Sequence, residues 1–439
     1  MITAGAAAEE LAVRTRCFMS RLIPLILLAA LCTAMAPLYA ADWRQFRGPG
    51  GQGKSDETSL PQAWSAKENL SWQVDLPGPG GSSPIVVAGR VFVTCYTGYG
   101  LQPNEGDQQT LRRHLFCFDR ETGKQLWQRS FEPKLPEHAY RGEGAYHGYS
   151  SSTPGSDGER LYVFFGKSGL FCFDLAGKLI WQASAGDGIH PSWGSGCSPL
   201  LSGDLVIVNA SAESGALVAF DKRSGQEVWR AGGIQSSWNT PLLVATERGG
   251  TELVVSIQAR LLGFDPADGR KLWDADGIHR YVCPSVVADK GVVYAIGGGH
   301  TSLAVRAGGT GDVTDSHVLW RQKRGSNVSS PVLHQGHLYW ADARGGVVYC
   351  QHAKTGKVVY QQRLEPRPGR FWASATLADG KIYYVSQHQG TYVVAAQPEF
   401  KLLAHNRIEG DESRTNASIA VSDGRLYLRS DQSLYCIGN

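Results

Sequence analysis

An all-β fold of repeated four-stranded units is predicted by three observations in the 439-residue sequence. Glycine is abundant, with 53 residues, and charged residues make up only 19%, which is typical of short strands joined by tight turns. A strand pattern recurs along the chain, and in each copy an aromatic residue stands four residues after a turn glycine. The copies follow one another at the period of a propeller blade, roughly 44 residues.

The first 40 residues are interpreted as an export signal. Arg21 precedes an uncharged apolar run over residues 22–36, and small residues lead to a cleavage site after Ala40. The run is too short for a membrane-spanning helix, so we expect no transmembrane segment in the mature chain. Met19 stands directly before the signal. The alternative is therefore that translation starts at Met19 and that residues 1–18 are not part of the protein. We therefore predict an exported protein of the periplasm or the extracellular space.

Each copy of the repeat predicts a hairpin that ends in a large aromatic side chain. Its Asp is interpreted as a turn former that accepts bonds from turn amides, and its Gly supplies positive φ. An isolated hairpin cannot bury the aromatic ring, so neighbouring copies must pack on each other. The turn residues are Asp119, Asp174, Asp221 and Asp265, with Gly123, Gly177, Gly225, Gly269 and the weaker Gly356. The tryptophans are Trp72, Trp127, Trp181, Trp229, Trp273 and Trp320.

The number of first strands predicts the number of blades. Eight starts are found, near Pro84, Pro154, Pro199, Pro241, Ser285, Pro331, Ala375 and Ile419. The last unit stops in its third strand, and residues 70–75 read like the missing fourth strand. The prediction is an eight-bladed β-propeller of four-stranded antiparallel blades, closed by an N-terminal strand that leaves no open edge. The domains are then the signal (1–40), an N-terminal extension (41–68) and the propeller (69–439).

Seven cysteines follow the signal, and an odd number in an exported protein suggests a leftover thiol. The repeat offers another explanation, because equivalent positions of different blades lie too far apart to bridge. We therefore expect small buried side chains, with disulfides as the alternative. One third-strand position is shared by Cys117, Cys172, Cys350 and Cys436, while Cys197 and Cys283 are both predicted to start first strands.

The turn pattern Asp-x-x-[Thr/Ser/Asp]-Gly-x-x-x-Trp resembles the tryptophan-docking repeat of pyrroloquinoline-quinone-type propellers, over roughly residues 69–439. The segments 42–49 and 76–84 are similar to the start of many secreted bacterial proteins with such repeats. The B lipoproteins of the outer-membrane β-barrel assembly machinery are similar in blade count and act as scaffolds. The resemblance therefore implies a binding or scaffolding propeller.

The quinoprotein dehydrogenases are a further family that the repeat resembles. In that family pyrroloquinoline quinone and Ca²⁺ lie over the ring centre, a carboxylate acts as base and a vicinal disulfide packs on the cofactor. This sequence has no adjacent Cys-Cys pair and no recognisable ligand set for Ca²⁺. A quinone- and Ca²⁺-dependent alcohol or sugar dehydrogenase is therefore the alternative function, with Asp276, Asp411 or Glu143 as candidate base. The main prediction includes no cofactor and no metal.

Candidate binding residues lie in the connections from each fourth strand to the next first strand. These connections gather at one mouth of the channel, and their Tyr, Trp and Arg side chains suit an aromatic, sugar-like, anionic or peptide ligand. The alternative is that the rings only fill the mouth and pack blade on blade. The candidates are His147, Tyr149, His190, Trp193, Trp238, Asn239, Arg280, Tyr281, Arg370, Trp372, Arg414 and Asn416.

Two insertions, residues 96–114 and 131–149, interrupt the repeat around the first blade, and loops on a rigid scaffold often carry function. His138, His147 and Glu143 offer a metal or acid–base site, with solvated loop residues as the alternative.

The net charge is only +3 and positive and negative residues are mixed, which does not indicate the basic surface that nucleic-acid binding requires. We predict an exported, monomeric and non-catalytic module that binds an unknown protein or small molecule through its channel-mouth loops.

Overall fold

The computed structural model describes residues 42–103, 105–142, 144–190 and 192–438. The predicted export signal, residues 1–40, lies outside the described residues. Within them, 33 strands form eight separate sheets. The same residues contain two one-turn helices, α1 (Gly144–His147) and α2 (Thr314–His317), and 3-10 turns at Pro49–Gly51, Gln108–Thr110 and Gly166–Ser168. No helix in this part of the chain is long and apolar enough to cross a membrane.

The first four blades follow the chain in order, each as an antiparallel meander. Blade 1 is β2 (Ile85–Val87), β3 (Arg90–Thr97), β4 (Arg112–Asp119) and β5 (Gln125–Phe131). Blade 2 is β6 (Gly155–Ser156), β7 (Arg160–Phe164), β8 (Leu170–Asp174) and β9 (Leu179–Ala183). Blade 3 is β10 (Leu200–Ser202), β11 (Leu205–Ala210), β12 (Ala216–Asp221) and β13 (Glu227–Gly232). Blade 4 is β14 (Leu242–Ala245), β15 (Thr251–Ile257), β16 (Arg260–Phe264) and β17 (Lys271–Asp276).

Blades 5 to 8 continue the same order. Blade 5 is β18 (Val287–Asp289), β19 (Val292–Gly297), β20 (Thr301–Arg306) and β22 (Val318–Gln322). Blade 6 is β23 (Val332–His334), β24 (His337–Ala341), β25 (Val347–His352) and β26 (Val358–Arg363). Blade 7 is β27 (Thr376–Ala378), β28 (Lys381–Val385), β29 (Thr391–Ala395) and β30 (Leu402–Asn406). Blade 8 is β31 (Ala420–Ser422), β32 (Arg425–Arg429), β33 (Ser433–Ile437) and the N-terminal strand β1 (Leu70–Asp75).

The N-terminal strand closes the ring, as the sequence predicts. β1 pairs antiparallel with β33, with Trp72 opposite Cys436 and Asp75 opposite Ser433. Blade 4 departs from the predicted four strands, because the two-residue strand β21 (Gly311–Asp312) pairs in parallel with β17. That fifth strand comes from the connection between the third and fourth strands of blade 5. The loop therefore covers part of the outer edge of its neighbour.

Five of the six predicted docking tryptophans pack on the turn glycine of the next blade; the exception is Trp273, whose ring contacts Gly263 of its own blade. A Cβ placed at Gly225 would lie 2.6 Å from the ring of Trp181, and the other predicted pairs repeat this contact. In five of six cases the indole N–H also donates to a backbone oxygen of that turn at 2.8–3.2 Å. The exception is Trp273, which donates to Glu252 Oε2 at 2.7 Å. The tryptophan repeat therefore joins neighbouring blades.

A second link between blades is a closed ring of hydrogen bonds around the channel. Just before each first strand, a Ser or Thr hydroxyl oxygen accepts the backbone N–H of the equivalent residue in the preceding blade, at 2.9–3.2 Å. The ring closes where Ser418 N–H donates to Ser83 Oγ at 3.0 Å. We call this set the hydroxyl ring; it consists of Ser83, Thr153, Ser198, Thr240, Ser285, Ser330, Ser374 and Ser418.

Two adjacent serines test the hydroxyl ring. We expect Ser330→Ala to lower the free energy of unfolding by about 1–3 kcal/mol, because the buried N–H of Ser285 loses its acceptor. Ser329→Ala is the matched control, since Ser329 Oγ is equally buried but makes no hydrogen bond. Its cost should stay within about 0.5 kcal/mol. Urea denaturation measures both, and equal losses would contradict a role for the ring.

The N-terminal extension closes one end of the channel. Trp43 pairs with Val86 of blade 1, Gln52 donates to the Ala288 oxygen of blade 5, and Ser55 N–H donates to the Leu377 oxygen of blade 7. These partners are the middle residues of the first strands β2, β18 and β27. The Arg47 guanidinium is buried and donates to the Pro331 oxygen of blade 6. We call residues 42–55 the plug.

The cysteine prediction is confirmed in its main point, since the described cysteines form no disulfide and six of the seven are buried. Two register assignments are wrong by one residue. The hydroxyl ring aligns Ser285 with Ser83, so the counterpart of Pro84 in blade 5 is Val286 and not Ser285. For the same reason Cys197 and Cys283 do not share a position, because they stand one and two residues before the ring.

Candidate functional site

Phe46 of the plug and the connections between blades line one cavity in the channel, which we call the cup. The cavity has a volume of about 170 Å³, and the half-buried Phe46 of the plug lies among its lining residues. The connections between blades form its wall. Seven of the twelve residues predicted at the mouth line the cup.

Two rows of residues line the cup, because the segment before each first strand is extended and alternate residues face the channel. One row belongs to the hydroxyl ring: of its eight members, all of them described residues, seven line the cup. The residues two positions earlier form the other row, which we call the upper row: Gly81, Ser151, Gly196, Trp238, Cys283, Val328, Trp372 and Asn416. The residue between the two rows is buried, as Ser82 and Ala417 show; Asn239 has this place too and is 1% exposed, but it also borders the cavity.

One wall of the cup is a cluster of aromatic rings. Trp193 meets Trp238 edge to face, with ring centroids 4.9 Å apart, and meets Tyr281 in the same way at 4.4 Å. The half-exposed His190 stacks behind Trp193 at 5.3 Å and does not line the cup. The Tyr281 hydroxyl accepts a hydrogen bond from Asn327 Nδ2 at 2.8 Å, and the Trp238 indole donates to the Gly194 oxygen at 2.9 Å. These bonds hold the rings in place.

The other wall is formed by Trp372 and Asn416. Trp372 contacts Tyr146 of α1, with ring centroids 5.4 Å apart, and the Arg370 guanidinium lies 4.4 Å from the Tyr146 ring on the outer side. Asn416 donates to the Tyr146 oxygen and accepts from Gln387 Nε2 at 2.7 Å. The insertion that carries α1 is therefore part of the rim.

The remaining predicted residues lie around the cup. Tyr149 is buried behind the wall and donates to the His138 oxygen at 2.8 Å. Arg414 pairs with Asp431 at 3.0 Å and donates to the Ala145 oxygen, so that it anchors α1. Arg280 is exposed outside the cup. His147 and Asn239 line the cavity together with the residues already described.

The cup has no strong charge in its interior. No Asp or Glu occurs among the described lining residues, and Arg344 is exposed. Burial lowers the pKa of His147 to about 4, so the imidazole is neutral at pH 7. The two described candidate bases lie elsewhere and are already bonded. Asp276 pairs with Arg321 at 2.6 Å, and Asp411 accepts the Tyr435 hydroxyl.

The 131–149 insertion is partly buried: His138 is not the solvated loop residue of the alternative, and His147 is half-buried. His138 is 3% exposed and stacks on His147 with ring centroids 5.5 Å apart. An ion pair of Arg113 and Glu137 at 2.7 Å anchors the loop, with both side chains 5% exposed. Glu143 lies outside the described residues. No group of three or more His, Cys, Asp or Glu in the described part of the chain is placed to hold a metal.

Glu213 adds a titrating group beside this loop. It lines a small internal cavity of about 20 Å³ together with Arg113, Glu137 and His138. Burial raises the pKa of Glu213 from 4.5 to about 7, with a further contribution from the charge of Glu137. The folded protein therefore holds this proton at pH values where the unfolded chain has lost it.

This difference predicts a loss of stability as the pH rises. The contribution of Glu213 is fully present below pH 4.5 and is lost between pH 4.5 and about 7, to a total of about 3 kcal/mol. Glu213→Gln should remove this slope. Urea denaturation at pH 5 and pH 8 measures it as the difference between the two proteins. Burial lowers the pKa of His138 to about 3, so this residue makes the stability rise with pH. The effect is the same in the unmodified protein and in Glu213→Gln, and it cancels in the difference. Identical pH profiles would contradict the prediction.

Sequence reasoning missed the hydroxyl ring and the plug as parts of the site. The signal for the ring is present in the sequence, since a Ser or Thr stands directly before the start of the first-strand pattern in every repeat. The one-residue register error in blade 5 interrupted this pattern, because it aligned Ser285 with Pro84 instead of Ser83. No comparable signal identifies Phe46, because the path of the plug depends on contacts with blades far along the chain.

The eight blades, the docking turns and the cup define a propeller of the pyrroloquinoline-quinone-like repeat class. A family model described as outer membrane protein assembly factor BamB matches residues 111–362 and 311–434. The chain belongs to this family, and the resemblance predicted from the turns is confirmed.

Among curated proteins, the chain is 24% identical over 255 residues to the outer membrane protein assembly factor BamB of Yersinia pestis. The match covers 53% of this chain and 57% of the relative, so the chain spans little more than half of that protein.

Solved structures share the fold. BamB from Moraxella catarrhalis matches with a TM-score of 0.60 at 14% identity, over 84% of this chain and 96% of that one. The quinohemoprotein alcohol dehydrogenase of Comamonas testosteroni matches with a TM-score of 0.64 at 11% identity, over 90% and 80%. A europium-containing methanol dehydrogenase matches with a TM-score of 0.62 at 11% identity, over 91% and 98%.

Proposed function

We propose that this chain is an exported, non-catalytic propeller that acts in outer membrane protein assembly and binds a protein partner through its channel mouth. Membership of the assembly-factor family supports the role. The chemistry of the mouth supports the mode of binding.

The observation that carries the proposal is a group of cations on one side of the mouth. Four of them are exposed and one is half-buried, and no described carboxylate forms an ion pair with any of them. Within the group, Arg324 donates only to the backbone oxygen of Lys323, at 2.8 Å. Unpaired cations on one surface favour a partner with an acidic surface. The group consists of Arg280, Lys323, Arg324, Arg367 and Arg370.

The rim beside these cations has the composition of a binding hot spot. Trp, Tyr and Arg carry most of the binding energy of protein interfaces. Here the Tyr146 ring lies between the other two side chains, with the tilted Trp372 ring 5.4 Å away and the Arg370 guanidinium 4.4 Å away. Their mutual packing holds them rigid, which lowers the entropy cost of binding.

Site-specific photo-crosslinking in cells tests this proposal. A crosslinking residue at Lys323 or Arg367 should capture one defined protein of the outer-membrane assembly machinery, identified by mass spectrometry. The matched control is Arg248, an exposed residue of the β14–β15 turn at the opposite end of a blade. Arg370→Glu should reduce the yield at Lys323. Equal capture from both faces, or no such partner at the mouth, would overturn the proposal.

The quinone-dependent dehydrogenase remains the alternative that the sequence raised. The positions of Asp276 and Asp411 outside the cup do not favour it. We predict that titration with pyrroloquinoline quinone, with and without Ca²⁺, gives no stoichiometric binding and no dye-linked turnover of alcohols or sugars. Tight one-to-one binding with turnover would instead make the protein an oxidoreductase.

A further inference from the structure

We propose that the cup binds one neutral pyranose ring, either as a free monosaccharide or as the terminal residue of a glycan. This inference goes beyond the proposed function, because it concerns the cavity beneath the rim and requires no protein partner. Four properties of the cup support it: size, charge, hydrogen-bonding groups and aromatic wall.

The size of the cup fits a single ring. A protein cavity of about 150 Å³ is known to hold one benzene molecule. The cup has a volume of about 170 Å³, and Phe46 lines it at the plug. A six-membered ring with small substituents therefore fills it, whereas a chain of rings has to extend out of the mouth.

The absence of strong charge inside the cup favours a neutral ligand. A bound cation would need a carboxylate, and none occurs among the described lining residues. A bound anion would need a buried cation, yet Arg344 is exposed and His147 is neutral at pH 7. Burying a charge without a partner is costly. Charged ligands are therefore disfavoured at this depth.

The hydroxyl ring requires a ligand with many hydrogen-bonding groups. Each ring oxygen already accepts a backbone N–H, so its own O–H remains available to donate. Asn239 lines the cup, is 1% exposed, and its Oδ1 has no hydrogen-bond partner. An apolar ring would displace water and leave these groups unpaired. Sugar hydroxyls both donate and accept, so a pyranose satisfies both kinds of group.

The aromatic wall suits the apolar face of a sugar. Trp193, Trp238 and Tyr281 meet edge to face, which leaves ring surface directed into the cavity. Such side chains combine an apolar body with a polar tip. The C–H groups of a pyranose can pack against them while its hydroxyls reach the hydroxyl ring.

Calorimetric titration of the purified protein, followed also by tryptophan fluorescence, tests the inference. The probes are the methyl glycosides of glucose, galactose and mannose, N-acetylglucosamine, and its disaccharide N,N′-diacetylchitobiose. Benzoate and tetramethylammonium represent an anionic ring and a cation. Trp193→Ala removes part of the wall, and Val328→Trp fills the cavity from the upper row. Arg280→Ala is the control, since this exposed side chain lies on the same face but outside the cup.

We expect one-to-one binding of at least one pyranoside. Trp193→Ala should weaken it about tenfold, Val328→Trp should abolish it, and Arg280→Ala should change it by less than roughly twofold. Tighter binding of the disaccharide identifies a glycan end, and equal or weaker binding identifies a free monosaccharide.

Three results would overturn the inference: no pyranoside binds, a charged probe binds more tightly, or the cavity variants bind like the unmodified protein. Thermal melts of the variants exclude unfolding as a cause. Crosslinking at the rim does not depend on sugar, so failure here leaves the proposed function standing.

Discussion

Alanine at Gly225 is expected to lower the free energy of unfolding by about 2–5 kcal/mol. About 1–2 kcal/mol comes from placing a Cβ at φ +73°, and about 1–3 kcal/mol from its overlap with the Trp181 ring at 2.6 Å. Gly203→Ala in the same blade is the matched control. Its φ is +57°, but nothing lies within 4 Å of its new Cβ, so only the first cost applies.

A double-mutant cycle separates the two costs. In a Trp181→Ala background the ring is gone, and Gly225→Ala should cost no more than Gly203→Ala does in the unmodified protein. Urea denaturation of the four proteins measures the coupling. If Gly225→Ala remains as costly without the ring, the tryptophan does not dock on this glycine in solution.

The second large effect is expected at Arg429, where blade 8 meets blade 1. This side chain is fully buried, and its guanidinium donates to the Thr94 oxygen at 2.7 Å, the Ser430 oxygen at 2.9 Å and the Gly78 oxygen at 3.3 Å. Arg429→Met removes all three bonds: the Ser430 and Gly78 oxygens lose the donor described here, while the Thr94 oxygen keeps the Ser82 hydroxyl at 3.0 Å. We expect a loss of about 2–4 kcal/mol, since each unpaired buried group costs about 1–3 kcal/mol and the removed charge no longer has to be buried.

Two further variants complete this test. Arg429→Lys keeps a cation but cannot reach three oxygens in a plane, so its loss should be intermediate. Arg407→Met serves as control, because Arg407 forms only an exposed ion pair with Glu412 at 3.2 Å, worth less than about 1 kcal/mol. If Arg429→Met is as stable as the unmodified protein, desolvation of the guanidinium offsets its bonds, and the junction does not depend on it.

The two variants examine different links of the same ring. Gly225 tests a contact that recurs from blade to blade, whereas Arg429 tests the one junction where the chain returns to its beginning. Loss of a recurring contact leaves the other blade interfaces intact. Loss of the junction affects the closure that β1 provides.

The repeat explains how much of the site could be predicted from the sequence. Trp193, Trp238, Tyr281, Trp372 and Asn416 were predicted at the mouth because their place in the repeat puts them between a fourth and a first strand. All of them line the cup. Tyr149 and Arg414 have the same place in the repeat but lie behind or beside the wall. The insertion that they hold has no counterpart in other blades, so periodicity gives no information about it.

The sequence by itself determined the eight blades, the turn that docks each tryptophan and the strand that closes the ring. These features depend on local hydrogen bonding and on a period that repeats, and both can be read from residue order. Only the tertiary structure decided that the plug crosses the channel, that Ser285 and Cys283 face the cup, and that the cup is uncharged inside. Each of these depends on contacts between segments hundreds of residues apart, or on a one-residue register that reverses which side chains face the channel.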